Sequence, residues 1–260
     1  MTERSQNKLT LVIGLMVAVL ISFGLAVATL STGKDFTMKA EERESIEAVI
    51  EDYLVTKPEI LLRAIDSFGK KQISQALSKY RKEIETPFPG AEAGNPNGDI
   101  IIVEFFDYRC SYCKAQYHEM KKLIETDPGV RLIYRDLPVL DRRGRQPLSR
   151  RAAEAGLAAG LQGKYMEMHN AIFSSEGRLT QKKLVRIIRS VGLDEKKISK
   201  DVDDVLPYLR RNLQIANALQ FSGTPVIVIG DQIYEGLHRA EVLRRIIARK
   251  RAKRKKSVEP

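Results

Sequence analysis

The sequence predicts an α/β domain, a small sheet interrupted by a helical insertion, preceded by a transmembrane helix and an N-terminal helical segment. Three observations predict it. Ile100–Phe106 is a continuous apolar run with a single acid, which is how a strand buried on both sheet faces reads. Pro225–Ile229 is a second such run, separated from the first by a long stretch of helical pattern. Leu9–Leu30 is a third apolar run, 22 residues without a charge, enough for a helix to cross the ~30 Å hydrocarbon of a bilayer.

At the N-terminus, Arg4 and Lys8 precede the apolar run. By the positive-inside rule they keep residues 1–8 in the cytoplasm and export the remainder of the chain. Ala26-Val27-Ala28 has the small-x-small form of a signal cleavage site. The run is longer than an ordinary signal core, which favours an uncleaved anchor over residues 1–33.

Residues 34–86 are read as helical. Ile46, Val49, Ile50, Tyr53 and Leu54 share one face at 3.6-residue spacing. Thr56-Lys57-Pro58-Glu59 reads as a fresh helix start, with Thr56 as cap. The apolar stripe then continues through Ile60, Ile65, Phe68, Ile73, Leu77 and Ile84. A segment this short cannot enclose a core alone, so the stripe packs on the downstream domain or on copies of itself. Residues 87–99, rich in proline and glycine, are expected to be a linker or an ordered approach loop.

The strand at 100–106 leads into a helix from about Ser111 to Glu125, stopped by Asp127-Pro128-Gly129. Val130–Leu137 alternates as a second strand, and a strand–helix–strand order implies a parallel pair. Residues 141–221 form the helical insertion, with a break or kink expected at Pro207. Pro225–Ile229 and Gln232–Glu235 flank Gly230-Asp231 as a hairpin, and a last helix runs from about Arg239. The domain thus spans 100–250, followed by a basic tail at 251–260.

The formal net charge of +11 is concentrated at the C-terminus, where Arg239–Pro260 holds ten basic residues against Glu241 and Glu259. This argues for a basic tail, whose surface meets anionic lipid headgroups or only solvent, and not for a nucleic-acid binder. There are only two cysteines, too few for a secreted disulfide scaffold or a four-cysteine zinc site. No resident metal and no cofactor is expected. His169 is expected to be a packing or surface histidine, as are His118 and His238.

Those two cysteines carry the chemistry. Cys110-Ser111-Tyr112-Cys113 sits where the buried strand gives way to a helix. A cysteine at a helix N-terminus meets unsatisfied N–H groups and the positive end of the dipole, which favour the attacking thiolate. The second cysteine, one turn on, can close or resolve a disulfide. Glu104 lies inside the apolar strand, where an acid is unfavourable unless used or paired. It is a candidate to relay protons to and from Cys113, or else a solvated or paired strand residue. Gly223-Thr224-Pro225 opens the downstream strand. Local sequence alone makes the Thr224–Pro225 bond trans.

With Glu104-Phe105-Phe106-Asp107-Tyr108-x-Cys-x-Tyr-Cys-Lys, the helical insertion and Gly223–Gly230, residues 97–250 resemble the DsbA family of bacterial disulfide oxidoreductases. Residues 40–85 resemble the N-terminal helices of its ScsC group. The resemblance implies a thioredoxin fold with a helical insertion. It implies Cys110 as the exposed nucleophile, Cys113 as its buried partner in a redox disulfide, Glu104 as the buried acid and Pro225 as a cis-proline. Thr224, Pro225, Tyr108 and Tyr112 are then expected to bind substrate, Tyr108 with Phe106 along the groove unless both are core aromatics. The N-terminal helices would drive homo-oligomerisation, with a trimer expected. Partners would be exported cysteine-containing proteins and a membrane protein that recycles the pair, with the catalytic domain in the periplasm. Strongly oxidising members carry histidine between the cysteines, where this chain has Ser111-Tyr112, so isomerase or shuffling activity is favoured. The alternatives are a disulfide-donating oxidase and a copper(I)-binding protein using the same pair of thiolates.

Overall fold

The computed structural model describes residues 39–141 and 146–258. The expected anchor at 1–33 lies outside the described residues, and among those described no helix is long and apolar enough to cross a membrane. By contact density the chain divides into two units between Ala64 and Ile65.

The first unit holds α1 (Ala40–Thr56) and the start of α2 (Pro58–Ile84). No residue of α1 is buried, and Ile46, Val49, Ile50, Tyr53 and Leu54 all face solvent. Thr56 does not cap α2. Its hydroxyl donates backwards to the carbonyls of Asp52 and Tyr53, inside the helix it ends.

The second unit is built on five strands: β1 (Glu92–Gly94), β2 (Ile100–Phe106), β3 (Val130–Asp136), β4 (Val226–Ile229) and β5 (Gln232–Glu235). Their order is β1-β3-β2-β4-β5. β2 and β3 run parallel, joined by α3 (Ser111–Thr126) as the crossover, and the other pairs are antiparallel. Between β3 and β4 come α4 (Leu148–Leu161), α5 (Tyr165–Ser174), α6 (Gln181–Ser190) and α7 (Glu195–Ala218), and α8 (Ala240–Val258) ends the fold.

The period-2 alternation of β2 sorts its side chains onto two cores. Ile100, Ile102 and Phe106 point into one, with Cys113, Met120 and Leu123 of α3, Leu243 and Ile247 of α8, and the insertion helices. Val103 and Phe105 point into the other, with Leu77 and Ile84 of α2 and Ile215 of α7. Both faces are covered, which is why the strand reads as continuously apolar.

Two boundaries differ from expectation, and the last helix runs into the basic tail as expected. Residues 87–99 are no linker: β1 pairs with β3, Ala91 is fully buried, and the carbonyl of Ala91 accepts from Tyr134 N. Gly94, at φ +77°, is needed here because a Cβ would sit 2.5 Å from the Val130 carbonyl oxygen. The helical segment does not separate at 86 either, since the second half of α2 belongs to the core. Arg135 of β3 fixes its end: one guanidinium nitrogen donates to the carbonyls of Glu83 and Thr86, and Nε donates to Asn212. A cation placed there satisfies last-turn carbonyls that have no helical partner. Finally, α8 continues through Val258, so residues 251–258 extend a helix, and Arg251 within it pairs with Asp99 and Asp127.

Pro207 lies inside α7 without ending it. Val205 and Leu209 on either side are buried in the same core, so packing holds the helix across the missing N–H.

Leu77→Ala is expected to destabilise the protein by about 2–5 kcal/mol in chemical denaturation, because its side chain is fully buried. A helix independent of the domain would give no change.

Candidate active site

Cys110 is the residue immediately before α3, in extended conformation (φ −76°, ψ 120°), and its N–H donates to the Asp107 carbonyl at 3.0 Å. That geometry aims its sulfur at the free N–H groups of the first turn. Both cysteines are free thiols. Cys110, expected to be the exposed nucleophile, is itself only 8% exposed because the helix start and Thr224 close over its sulfur, whereas Cys113, one turn into the helix, is fully buried.

Their ionisation diverges accordingly. The Cys110 thiol falls to about 6, chiefly because the Cys113 thiol donates to its thiolate. The backbone N–H groups of Cys113 and Tyr112 and the Thr224 hydroxyl add to this, against a desolvation effect that opposes it. The protonated thiol donates to the Thr224 carbonyl at 3.3 Å. On ionisation that bond is lost, and the buried Thr224 hydroxyl, otherwise without a partner, becomes a donor to the sulfur. Burial pushes the Cys113 thiol far up, and the neighbouring Cys110 pushes it further. One sulfur is therefore a thiolate at neutral pH and the other keeps its proton.

Glu104 points to the same side of the sheet as Ile102 and Phe106, into the core that holds Cys113. It is 1% exposed, and its Oε2 has no hydrogen-bond partner among the described residues. Burial, with the charge of Cys110, raises its carboxyl to about 8. A buried, unpaired acid poised near neutrality can hold and release the proton that Cys113 exchanges. Thr224–Pro225 is cis, against the local-sequence default and in line with the resemblance, and Pro225 is buried at the start of β4.

The structure thus brings Cys110, Cys113, Glu104, Thr224 and Pro225 together and leaves Tyr112 64% exposed beside the pair. In the structure Tyr108 takes the core alternative and not the groove. It is 5% exposed and packs edge-on against Phe106, with its hydroxyl 3.2 Å from His169 Nδ1. Phe106 is equally buried, so both are core aromatics and neither lines a groove for substrate. His169 is a packing histidine, kept neutral by burial with its pKa lowered to about 3. His118 is exposed on α3, and His238 lies in the turn before α8, its backbone joined to Gln116 through both amide atoms.

Asp107 is a residue that sequence reasoning misses. One carboxylate oxygen accepts from Arg109 N, and the other accepts from Val139 N and Leu140 N at 2.9 and 3.0 Å. The Arg109 guanidinium then donates to the Leu140 carbonyl and to Asp141, which caps α4 through Ser149 N and Arg150 N. This chain of bonds locks the Cys110 loop to the first helix of the insertion. A strand-end aspartate two residues before an exposed position is the only hint of it in the sequence.

The strand order, the mixed pairing and a cysteine at the start of the crossover helix put the domain in the thioredoxin-like class. The chain belongs to the family of the DSBA-like thioredoxin domain, whose model matches residues 101–248. It is similar to a thioredoxin-like oxidoreductase from Silicibacter pomeroyi DSS-3, at 37% identity and TM-score 0.57, covering 62% of this chain and 91% of that one. It is also similar to ScsC of Proteus mirabilis in a transitional conformation, at 26% identity and TM-score 0.60, covering 84% and 98%. The chain spans about a quarter of the length of the curated relatives it matches. One is a Na(+)/H(+) antiporter, NhaA 1, of Salinispora arenicola, 27% identical over 152 residues that are 58% of this chain and 23% of that protein.

The two buried acids give opposite expectations. Asp107→Ala strands three backbone donors, so the protein should lose on the order of 2–4 kcal/mol of stability and Cys110 should react several-fold more slowly with iodoacetamide at neutral pH. For Glu104, the acid is ionised in the unfolded chain above its ordinary 4.5 but stays protonated in the fold up to about 8. Its contribution is therefore fully present below about pH 4.5 and is lost as pH rises towards 8, on the order of 3 kcal/mol by neutrality. Denaturation of the reduced proteins should show Glu104→Gln gaining on the parent by that amount between those limits.

Proposed function

We propose that this protein is a thiol:disulfide oxidoreductase that shuffles disulfides in exported proteins, working from the reduced state. The observation that carries the reading is the Cys110 thiol at about 6 beside a protonated, buried Cys113. The Cys110 thiolate attacks one sulfur of a client disulfide, forming a mixed disulfide and releasing the client's other sulfur as a thiolate. That thiolate can attack another disulfide of the client, and the thiolate it displaces then attacks the mixed disulfide, forming a new client disulfide and expelling Cys110 as the thiolate, which amounts to isomerisation. If the client stalls, Cys110 in the mixed disulfide carries no charge, which removes one of the two influences that keep Glu104 protonated. The ionised fraction of Glu104 takes the Cys113 proton, and the Cys113 thiolate attacks the Cys110 sulfur, releasing the client's sulfur as a thiolate and closing Cys110–Cys113. The backbone of Thr224 and the exposed Tyr112 would hold the client segment.

The stability of the thiolate supports this direction. Nucleophilic cysteines lie near about 7 in thioredoxin and about 3.5 in strongly oxidising DsbA. A value of about 6 stabilises the reduced form only moderately, which supports shuffling over disulfide donation. The burial of Cys113 weighs against the copper(I) reading, since that site requires both sulfurs as thiolates.

The remaining parts of the proposal are architectural. The exposed apolar residues of α1 and early α2, among them Val49, Leu61 and Leu62, form a surface that self-association would cover, and a trimer would set several Cys110 thiolates around one client. The apolar Leu9–Leu30 run would tether the assembly with its catalytic domains in the periplasm, where a membrane partner re-reduces the pair.

The test is the equilibrium reduction potential of Cys110–Cys113 in the full-length protein, set against glutathione buffers. The expected value lies at or below the isomerase range of about −180 mV, together with turnover of a scrambled client that Cys110→Ser abolishes. A potential near about −120 mV would make the protein a disulfide donor.

A further inference from the structure

Seven of the basic residues on α8 fall into two sets. Cations on the inner flank of α8 are engaged: Lys250 pairs with Asp231, and Arg251 pairs with both Asp99 and Asp127. Arg244 donates to Thr126, and Arg254 donates to the Asp99 carbonyl. Arg245, Arg249 and Lys253 are different. They follow one another at every fourth position, all exposed, on the side away from the buried Leu243 and Ile247. None has an ion-pair partner among the described residues, and Asp231, whose charge is felt by Lys253, is held by Lys250 at 2.7 Å.

We propose that this outer stripe of α8 is a docking surface for the phosphate-bearing headgroups of an anionic membrane. The stripe from Arg245 to Lys253 runs about 12 Å along a straight helix. Ala248 and Ala252, also exposed, lie beside it, so no bulky side chain keeps the backbone from a flat surface. The face carries no apolar wedge, so contact is superficial and electrostatic, weakened by salt. A nucleic acid fits less well, because α8 offers cations but no aromatic residue on which a base could stack.

The placement has a consequence for the redox site. The C-terminal half of α8 grips Asp99, just before β2, whereas Cys110 lies beyond the other end of that seven-residue strand. About 20 Å of strand separates them. A domain held through the stripe would therefore present Cys110 away from the lipid, open to clients.

Amine labelling of the full-length protein in vesicles tests this, with acetylation of each lysine read by mass spectrometry. Whatever anchors the chain is common to vesicles of neutral phosphatidylcholine and vesicles containing phosphatidylglycerol, so only the headgroup charge differs. Lys253 labelling should fall several-fold in the anionic vesicles, recover in high salt and recover in Arg245→Gln/Arg249→Gln. Lys182, exposed on α6, should label equally throughout. Equal labelling of Lys253 in both lipids, equal protection of Lys182, or protection by duplex DNA but not by anionic vesicles would each overturn the proposal.

Discussion

The separation of two identical side chains into a thiolate and a thiol is the constraint on which this domain is arranged. Cys110 and Cys113 are three residues apart and share one hydrogen bond, yet one ionises near 6 and the other is held protonated. The Cys113 thiol contributes most to this by donating to the Cys110 thiolate, the N–H groups of the first turn add to it, and the helical repeat carries Cys113 into the core. The sheet supplies the rest. β2 delivers Cys110 to the helix start, and the antiparallel β4 brings Thr224 to the sulfur.

Burial that protects Cys113 also creates a difficulty, since a proton must leave a site without water-facing groups. Glu104 meets it at the expense of stability. Its Oε2 is unpaired and its carboxyl is raised by burial, which is a sacrifice a purely structural strand residue would not make. Asp107 shows the opposite use of an acid. Also buried, with desolvation raising its carboxyl, it is spent on three backbone N–H groups and so fixes the loop that ends in Cys110.

The parts legible in the sequence are those encoded locally. The β2 run, the cysteine spacing, the β4–β5 hairpin and the insertion each show in a few neighbouring residues. The hidden parts depend on distant partners. β1 is three residues long and hydrogen-bonded to a strand some forty positions on, so its Pro- and Gly-rich surroundings read as a linker. The second half of α2 looks separable because its anchors, Arg135 and Arg211, lie on β3 and α7. Sequence alone leaves Tyr108 open between groove and core because adjacency to Cys110 says nothing about which way a loop turns its aromatic ring. Pro207 is overruled by the packing of Val205 and Leu209.

The central claim is the charge separation within the pair, and titration of the Cys110 thiolate tests it most directly. Thiolate absorbance of the reduced full-length protein, tracked against pH, should rise with a midpoint of about 6. Cys113→Ser should move that midpoint, because the Cys113 thiol is the largest single influence on it. A midpoint near the ordinary thiol value of 9.0, unmoved by changing Cys113, would contradict the account.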